Sequence, residues 1–197
     1  MDDKKTIEVY DSKVEDYIKL TDRPPGKPLT DFISKVGPDG LVLDLGCGPG
    51  TSAAVMRLSG LKVDPVDAST KMVEIANMKY QLNARKLRFD EVSGEHIYDG
   101  VWANFSLLHA RKKNFINYLN LIYLALKPRG LFSIGMKLGS GEHRDGLGRF
   151  YAYYGRDELI SCLSQCGFVF DTEYIGEEKG LTGHVEPWLV AQSRKLC

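Results

Sequence analysis

Residues 42–54 read VLDLGCGPGTSAA: an apolar run containing Asp44, a turn rich in glycine, and the beginning of a helix. Glycines at positions 46, 48 and 50 carry no Cβ, so the main chain of this turn can approach a ligand closely. The N–H groups of the next helix point toward the same place, where they favour a negative or polar group. The stretch therefore predicts a strand, a ligand-binding turn and a helix of an α/β sheet.

The residues around the turn argue against two common ligands. A phosphate-binding P-loop needs GxxxxGK followed by Ser or Thr, and no lysine follows these glycines. The dinucleotide pattern GxGxxG fits poorly, because Thr51 takes the place of the third glycine and Pro49 removes an N–H. Asp44 would repel a pyrophosphate, whereas it can accept a hydrogen bond from an ammonium group. The turn favours a ligand with an amino acid head.

With these residues the chain resembles the class I S-adenosylmethionine-dependent methyltransferases, whose first motif has the form hDhGxGxG, with h apolar. It is similar in particular to the small-molecule type, such as the tellurite-resistance and UbiE-like domains. Asp44 stands at the acidic position and the three glycines match. The resemblance runs from about residue 10 to the end of the chain. It implies S-adenosylmethionine as cofactor and a small molecule as methyl acceptor.

A second strand is predicted after the first helix. The helix covers residues 52–59 and ends at Gly60, and the run LKVDPVDAS at 61–69 then reads as a strand that closes on Asp67. An acidic side chain at this position, roughly 20 residues after the glycines, is the device that holds a ribose diol. The alternative for Asp67 is an N-cap of the helix over STKMVEIANMKY. Pro65 predicts an irregular strand end.

The later segments complete an alternating pattern. KLRFDEV at 86–92 and YDGVWANFSLLHA at 98–110 read as strands, followed by a long helix, a turn at Pro128 to Gly130 and a fifth strand. Runs at 168–175 and 187–193 predict a final antiparallel hairpin. The expected fold is α/β: a Rossmann-like, doubly wound, mostly parallel seven-stranded sheet with an antiparallel C-terminal edge hairpin.

The resemblance implies a set of cofactor-binding residues. Asp90 and Glu91 are expected near the adenine, and Asn104 beneath the methionine portion. The pattern from Tyr10 to Leu20 predicts an N-terminal helix after a frayed segment at 1–9, and Tyr10 or Tyr17 is expected to touch the cofactor. The full predicted set is Tyr10, Tyr17, Asp44, Gly46, Cys47, Gly48, Gly50, Asp67, Ala68, Met72, Asp90, Glu91, Asn104 and Ser106.

The segment after the fifth strand is the predicted acceptor site. Residues 136–168 begin with a loop broken by glycines, and ligands bind above the carboxyl ends of parallel strands. Residues 139–149 are expected to be mobile without ligand and to close as a lid. The predicted substrate residues are His143, Arg144, Arg149 and Tyr153. The alternative is a solvated loop that Phe150 and its neighbouring tyrosines anchor to the core.

His109 is the candidate general base. Methyl transfer from a sulfonium needs alignment and a dry site more than a covalent nucleophile, and a base matters where the acceptor must lose a proton. A histidine titrates near working pH, and His109 follows the fourth strand. The alternative is a histidine that merely packs at a helix start.

Length and charge set further bounds. A chain of 197 residues predicts one domain, divided into a helical cap at 1–36, a cofactor-binding core at 37–135 and a lid with the C-terminal hairpin at 136–197. Lys plus Arg and Asp plus Glu number 26 each, so no net field draws a polyanion and no nucleic-acid partner is expected. The protein is expected to be a monomer or homodimer.

The cysteines indicate the compartment. Cys162 and Cys166 lie four apart in a helical pattern, which is typical of two small core residues rather than metal ligands. Neither Cys47 nor Cys197 adds a Cys-x-x-Cys pair, so no metal is proposed. The absence of a signal-like or membrane-spanning apolar run then predicts a cytoplasmic protein without a membrane partner.

Three other functions remain open from the sequence. A nicotinamide-dependent oxidoreductase uses the same turn and Asp67, but predicts a fuller GxGxxG and a hydride-site motif. An RNA or protein methyltransferase predicts a basic field or added domains. A noncatalytic methyltransferase-like scaffold predicts a decayed glycine motif, which this chain does not have.

Overall fold

The computed structural model describes residues 3–21 and 24–196. Within these ranges, α-helices and β-strands alternate through the middle of the chain, and two long strands end it. The helices are α1 (Lys4–Ser12), α2 (Val14–Thr21), α3 (Lys27–Val36), α4 (Thr51–Leu58), α5 (Thr70–Tyr80), α6 (Lys112–Ala125) and α7 (Arg156–Gln165). The strands are β1 (Leu41–Leu45), β2 (Lys62–Asp67), β3 (Arg85–Lys86), β4 (Tyr98–Asn104), β5 (Leu126–Lys137), β6 (Glu142–Arg144), β7 (Phe150–Ala152), β8 (Phe168–Lys179) and β9 (Val185–Lys195).

A seven-stranded sheet in the order β3-β2-β1-β4-β5-β9-β8 forms the centre of the molecule. The first five of these strands are parallel, and β9 inserts antiparallel between β5 and β8. The sheet order reverses between β1 and β4, which opens a crevice at their carboxyl ends. The predicted Rossmann-like fold with an antiparallel C-terminal hairpin is confirmed.

The core lies on both faces of the sheet, because successive residues of a strand point to opposite sides. Trp102 of β4 packs with Phe32 of α3 and Met56 of α4 on one face. Its neighbour Val101 belongs to a larger cluster on the other face, together with Phe115 of α6. Helix α3 is therefore part of the core layer, and its first turn also lines the cleft. The division at residues 36 and 135 remains a prediction.

The predicted third strand is wrong over most of its length. Strand β3 pairs with β2 at Arg85 and Lys86, and the chain then turns into a 3₁₀ helix at Phe89–Glu91. The Glu91 carboxylate accepts a hydrogen bond of 2.7 Å from the Arg88 N–H, which holds this turn in place of a strand ladder. Phe89 is buried, so the apolar alternation that predicted a strand arises from packing of a turn.

Pro65 does not disturb β2, contrary to prediction. The register with β1 is continuous from Leu41 opposite Lys62 to Leu45 opposite Val66. The Val66 carbonyl faces β1, where it accepts bonds from Gly46 and Cys47. Backbone groups alternate along a strand, so the missing N–H of Pro65 faces the other side, where β3 has not yet begun to pair.

The N-terminal segment is ordered from Asp3 onward, so the predicted fraying is wrong for these residues. Asp3 caps α1 by accepting a 2.9 Å hydrogen bond from the Thr6 N–H. The predicted single helix is broken at Lys13 into α1 and α2. The predicted turn at residues 128–130 is instead an irregularity inside β5, where Arg129 has φ of 65°.

The segment predicted as a mobile loop contains a two-stranded hairpin. Strands β6 and β7 pair antiparallel from Glu142 opposite Ala152 to Arg144 opposite Phe150. At the turn, the Asp145 carboxylate accepts bonds from the Leu147 and Arg149 N–H groups at 3.0 and 2.9 Å. Glycine-rich composition predicted mobility, but it also suits the tight turns of a hairpin. No helix in the described ranges is long and apolar enough to cross a membrane.

Candidate active site

The glycine turn joins β1 to α4, and its three glycines serve different purposes. All three have positive φ, from 53° to 87°. A Cβ at Gly46 would lie 2.3 Å from the Ser106 Cβ, and one at Gly50 would lie 2.6 Å from a methyl carbon of Leu82. These two glycines permit close packing inside the protein. Gly48 instead lies at the cleft, where an added Cβ would lie 3.4 Å from the Tyr17 ring.

The N–H groups of the turn are already bonded within the protein. Gly46 and Cys47 donate to the Val66 carbonyl at 2.8 and 2.9 Å. Gly48 donates to Asp67 Oδ2 at 2.9 Å. A phosphate-binding loop points such groups at its ligand, whereas the N–H groups of this turn donate hydrogen bonds to β2. The local chemistry therefore disfavours a phosphate, as the missing lysine predicted.

Asp67 lies at the end of β2, where it joins the glycine turn to the next helix. Its Oδ1 accepts from the Ser69 N–H at 2.8 Å, while Oδ2 binds Gly48. Ser69, not Asp67, caps α5, because the Ser69 hydroxyl accepts from the Met72 N–H. The N-cap alternative for Asp67 is therefore wrong. Burial raises the pKa of the Asp67 carboxyl, and each of its oxygens retains a lone pair for a ligand.

Two buried oxygen atoms beside the turn lack a hydrogen-bond partner within the described part of the chain: Oδ2 of Asp44 and Oδ1 of Asn104. Asp44 lies next to the last residue of β1 and is 2 % exposed, so burial and the nearby Asp67 raise its pKa to about 8. Asn104 ends β4, next to Gly135 of β5, where a Cβ would approach its Oδ1 to 2.3 Å. Buried acceptors without partners are costly, so both positions favour a ligand that donates hydrogen bonds.

A cleft of about 720 Å³ opens at the carboxyl ends of β1, β4 and β5, beside a niche of about 30 Å³. The cleft is large enough for a small-molecule site. Four of the predicted residues line both the cleft and the niche: Tyr10, Tyr17, Gly46 and Gly48. Of the other predicted residues, Asp44, Cys47, Asn104 and Arg149 line the cleft, and Asp67, Ala68, Met72, Ser106 and His109 line the niche.

Asp90 and Glu91 line neither the cleft nor the niche, which corrects the prediction that they lie near an adenine. Asp90 is exposed and pairs with Arg88 at 3.1 Å. Leu87 and Phe89 line the niche instead. The alternation of apolar and charged residues in LRFDE was the available signal, because the buried members of such a run face inward.

His109 lies in a hydrogen-bonded network that connects three elements. Its Nδ1 is 2.6 Å from the Phe150 carbonyl, which accepts, so Nδ1 carries the proton. Its Nε2 therefore accepts from the Tyr10 hydroxyl at 2.8 Å. The Tyr10 oxygen accepts in turn from Arg149 Nη1 at 3.0 Å. Burial lowers the pKa of His109 to about 3.

Both nitrogens of His109 are thus engaged, so the Nε2 lone pair that a general base would use is already bound to the Tyr10 hydroxyl, and the low pKa makes the ring a weak base. The side chain is 1 % exposed, and its ring packs 4.6 Å from that of Tyr151. In this arrangement His109 holds α1 and β7 against the end of β4, and its catalytic role stays a prediction. This outcome agrees with the packing alternative that the sequence left open.

The predicted acceptor residues separate into two groups. Arg149 lines the cleft, is 3 % exposed and pairs with Asp145 at 2.7 Å. Arg144 reaches away from the cleft to Asp3, with N–O distances of 2.9 and 2.7 Å. His143 is exposed and stacks on Tyr153 at 4.4 Å between ring centroids. His143, Arg144 and Tyr153 line neither the cleft nor the niche, which corrects their predicted contact with substrate.

Several cleft residues were missed from the sequence. Lys137 is the last residue of β5 and lies opposite Trp188 of β9. Lys137, Tyr151, Glu186, Trp188 and Phe105 all line the cleft. The rule that ligands bind at carboxyl ends of parallel strands would have found Lys137. Glu186 and Trp188 had no such signal, because their place depends on where the antiparallel β9 begins.

The cysteines do not form a metal site within the described residues. No group of three or more His, Cys, Asp or Glu side chains there is arranged to hold a metal ion. Cys47, Cys162 and Cys166 are free thiols. Burial raises the pKa of Cys47 well above its ordinary value, so this thiol in the glycine turn is inert. Cys197 lies outside the described residues.

Comparisons with known proteins agree with this geometry. Residues 42–130 match the family model described as a methyltransferase domain. The ubiquinone biosynthesis O-methyltransferase of Rickettsia prowazekii (strain Madrid E) is 34% identical over 96 residues, which are 46% of this chain and 37% of that enzyme. The chain therefore aligns with well under half the length of this curated relative.

Solved structures share the fold at low sequence identity. The 1,6-didemethyltoxoflavin-N1-methyltransferase of Burkholderia thailandensis, solved with 1,6-didemethyltoxoflavin and S-adenosylhomocysteine, has a TM-score of 0.76 at 22% identity; the match covers 98% of this chain and 88% of that one. The [4+2]-cyclase SpnF has a TM-score of 0.71 at 17% identity, over 96% and 94% of the two chains. The similarity establishes the fold, which also serves an enzyme named for another reaction.

Proposed function

We propose that this chain, whose residues 42–130 match a methyltransferase domain, is a class I S-adenosylmethionine-dependent methyltransferase that binds S-adenosylmethionine and transfers the methyl group to a small-molecule acceptor. The observation that carries this proposal is the pair of buried oxygen atoms at Asp44 and Asn104, which lack partners within the described residues. An ammonium group would satisfy both, because it donates up to three hydrogen bonds and its positive charge favours the ionised form of Asp44, whose pKa burial has raised.

The remaining residues of the site suit the other parts of this cofactor. Asp67 holds a ribose diol with the lone pairs that Gly48 and Ser69 leave free. Met72, Leu87 and Phe89 give the niche apolar walls for an adenine ring, and the niche must widen from about 30 Å³ to admit it. When bound, S-adenosylmethionine supplies an electrophilic methyl group. The protein aligns the acceptor with it and excludes water.

A small acceptor is favoured over a macromolecule. The cleft is a bounded cavity of about 720 Å³, a volume typical of sites for cofactors and metabolites. The balance of 26 basic and 26 acidic residues provides no field for a polyanion. Free cysteines suit a reducing compartment, and we propose that the protein acts in the cytoplasm. Whether it is a monomer or a homodimer stays a prediction.

Titration calorimetry tests the cofactor. S-adenosylhomocysteine should bind, while NAD and ATP should not. Asp44→Asn keeps the shape of the side chain but cannot carry its charge. The variant should therefore bind S-adenosylhomocysteine at least about tenfold more weakly, the range for charge-assisted hydrogen bonds. Tight binding of NAD with no response to S-adenosylhomocysteine would contradict the assignment.

The transfer itself is tested separately, because the fold also occurs in the cyclase. The protein is incubated with S-adenosylmethionine and a panel of metabolites, and the products are analysed by mass spectrometry. A methyltransferase releases S-adenosylhomocysteine and methylated acceptor in equal amounts. Conversion of an acceptor without a gain of a methyl group would overturn the proposed activity while leaving cofactor binding intact.

A further inference from the structure

A partly buried ion pair lines the cleft. Lys137 Nζ pairs with Glu186 Oε2, and the side chains are 14% and 25% exposed. The other oxygen of Glu186 accepts from the Tyr153 hydroxyl at 3.1 Å. Both charged residues face the cavity. Partial removal of two charges from water is costly, and these charges remain accessible from the cleft, where a ligand can reach them.

The same cleft has an aromatic wall in which two rings stand nearly perpendicular to each other. Trp188 lies opposite Gly176 of β8, where a Cβ would come within 2.5 Å of the indole. The glycine thus lets the indole lie close to the sheet. Phe105 packs edge-to-face against Trp188, with ring centroids 6.1 Å apart. These two rings line a slot that suits a planar molecule.

A donor within this wall has no acceptor in the described part of the chain. Trp188 Nε1 is buried without a hydrogen-bond partner. An indole N–H is a donor only, and leaving it unsatisfied is unfavourable. Trp188 is also directly opposite Lys137 in the ladder between β5 and β9. An oxygen atom on a ligand in the slot would satisfy the indole next to an ammonium group.

The Lys137 ammonium is held over an aromatic ring as well as by a carboxylate. It lies 4.1 Å from the centroid of the Tyr151 ring. Arg149 lies 5.2 Å from the same ring. Tyr151 therefore separates two cations, each with its own carboxylate, Glu186 or Asp145. This arrangement holds the Lys137 side chain in place at the cavity wall.

We propose that Lys137, Glu186 and Trp188 form the acceptor subsite and that the acceptor is a planar ring carrying an ionisable hydroxyl group. This rests on the proposed methyltransferase function. The hydroxyl O–H bond breaks and its proton passes to the Glu186 carboxylate, which becomes a neutral acid. The electron pair stays on the acceptor oxygen, and Lys137 pairs with the resulting anion. The net charge of the three groups is unchanged, so the step adds no uncompensated charge to a buried site.

The probe is 4-nitrophenol, whose phenolate is coloured, bound in the presence of S-adenosylhomocysteine. Binding to the wild-type protein should lower the apparent pKa of the nitrophenol by about one unit, because Lys137 stabilises the anion. Lys137→Met should abolish this shift and Lys137→Arg should retain most of it. Trp188→Phe keeps the wall but removes the N–H, and should weaken binding about fivefold. 4-Nitroanisole, which has no proton to lose, should bind more weakly than 4-nitrophenol.

Lys112 offers a matched control. It pairs with Glu158 at 2.6 Å and lies 4.3 Å from the Tyr154 ring, the same combination of carboxylate and aromatic ring. None of these three residues lines the cleft. Lys112→Met should leave the spectrum and affinity of bound 4-nitrophenol unchanged. Equal effects of the two Lys→Met variants would mean that the Lys137 pair is structural.

The outcomes also separate this inference from the proposed function. If S-adenosylhomocysteine binds but 4-nitrophenol does not bind, or binds with an unshifted pKa, the acceptor subsite is wrong and the methyltransferase assignment stands. If S-adenosylhomocysteine does not bind, the methyltransferase assignment fails. The spectral titration without cofactor then still decides whether Lys137 and Trp188 bind the phenolate.

Discussion

The half of the molecule around the glycine turn and the half after β5 build the same cleft in different ways. At the turn, Asp67 binds Gly48 and Ser69, which are 19 and 2 residues away in the chain. In the hairpin of β6 and β7, Arg144 binds Asp3 across 141 residues, and the Phe150 N–H donates to Thr6 across 144. The first half is organised by nearby sequence, and the second by the N-terminal helix.

This difference explains why the segment predicted as a lid forms a hydrogen-bonded hairpin; whether it moves stays a prediction. The N-terminal helix α1 supplies the partners that a glycine-rich segment cannot supply for itself. Asp3, Thr6 and Tyr10 bind Arg144, Phe150 and Arg149 respectively. The composition of a segment shows how much of it can be buried by its own residues. Its structure in the folded protein also depends on contacts with the rest of the chain.

The largest expected effect concerns His109, which connects the two halves through Tyr10 and Phe150. Its pKa is about 3 in the folded protein, against about 6.5 when unfolded. The unfolded state therefore takes up the proton first as pH falls, and stability is lost below about pH 6.5. Between pH 7 and pH 4.5 the loss from this residue should be about 3 kcal/mol.

Urea unfolding of the wild type and of His109→Gln across this pH range measures that effect. The difference between the two proteins isolates the histidine, because both share the same carboxylates. The wild type should lose its advantage as pH falls. Parallel curves for the two proteins would mean that His109 is accessible to protons in the folded state, which would favour the general-base role.

The second effect tests the glycine-turn half with a matched pair of carboxylates. Asp67→Ala should cost about 2–4 kcal/mol of S-adenosylhomocysteine affinity, because two hydrogen bonds to a charged group are lost. Asp90→Ala, at the carboxylate that lies outside the cleft, should change affinity by less than about 0.5 kcal/mol. Calorimetry measures both. Similar losses in the two variants would return Asp90 to the site and contradict the placement of the 3₁₀ turn.

The smallest effect tests the C-terminal half. Arg144 is partly exposed, so Arg144→Ala should reduce the free energy of unfolding by about 1 kcal/mol. The amides of residues 142–152 should exchange slowly in the wild type without any ligand, and faster in the variant. Arg156→Ala, which removes a more exposed pair with Glu173, should leave their exchange unchanged. Fast exchange of these amides in the wild type would favour a mobile lid.

Much of the cofactor side of the site could be predicted from the sequence. Asp44 is the penultimate residue of β1, Asp67 and Asn104 end β2 and β4, and parallel strands bring their carboxyl ends to one edge. Asp90 and Glu91 could not be placed, because a two-residue strand gave way to a turn that exposes them. His143 and Tyr153 were misplaced because the hairpin that carries them depends on α1.

The sequence by itself determined the succession of most strands along the chain, the glycine turn and the acidic residues beside it. These features follow from periodicity and from backbone conformations that glycine permits, so they are local. The tertiary structure alone decided which charges face the cleft. Lys137, Glu186 and Trp188 meet because β9 runs antiparallel beside β5, and His109 is neutral because α1 and β7 bury it. Both depend on contacts between residues far apart in the chain, for which a single sequence carries no periodic signal.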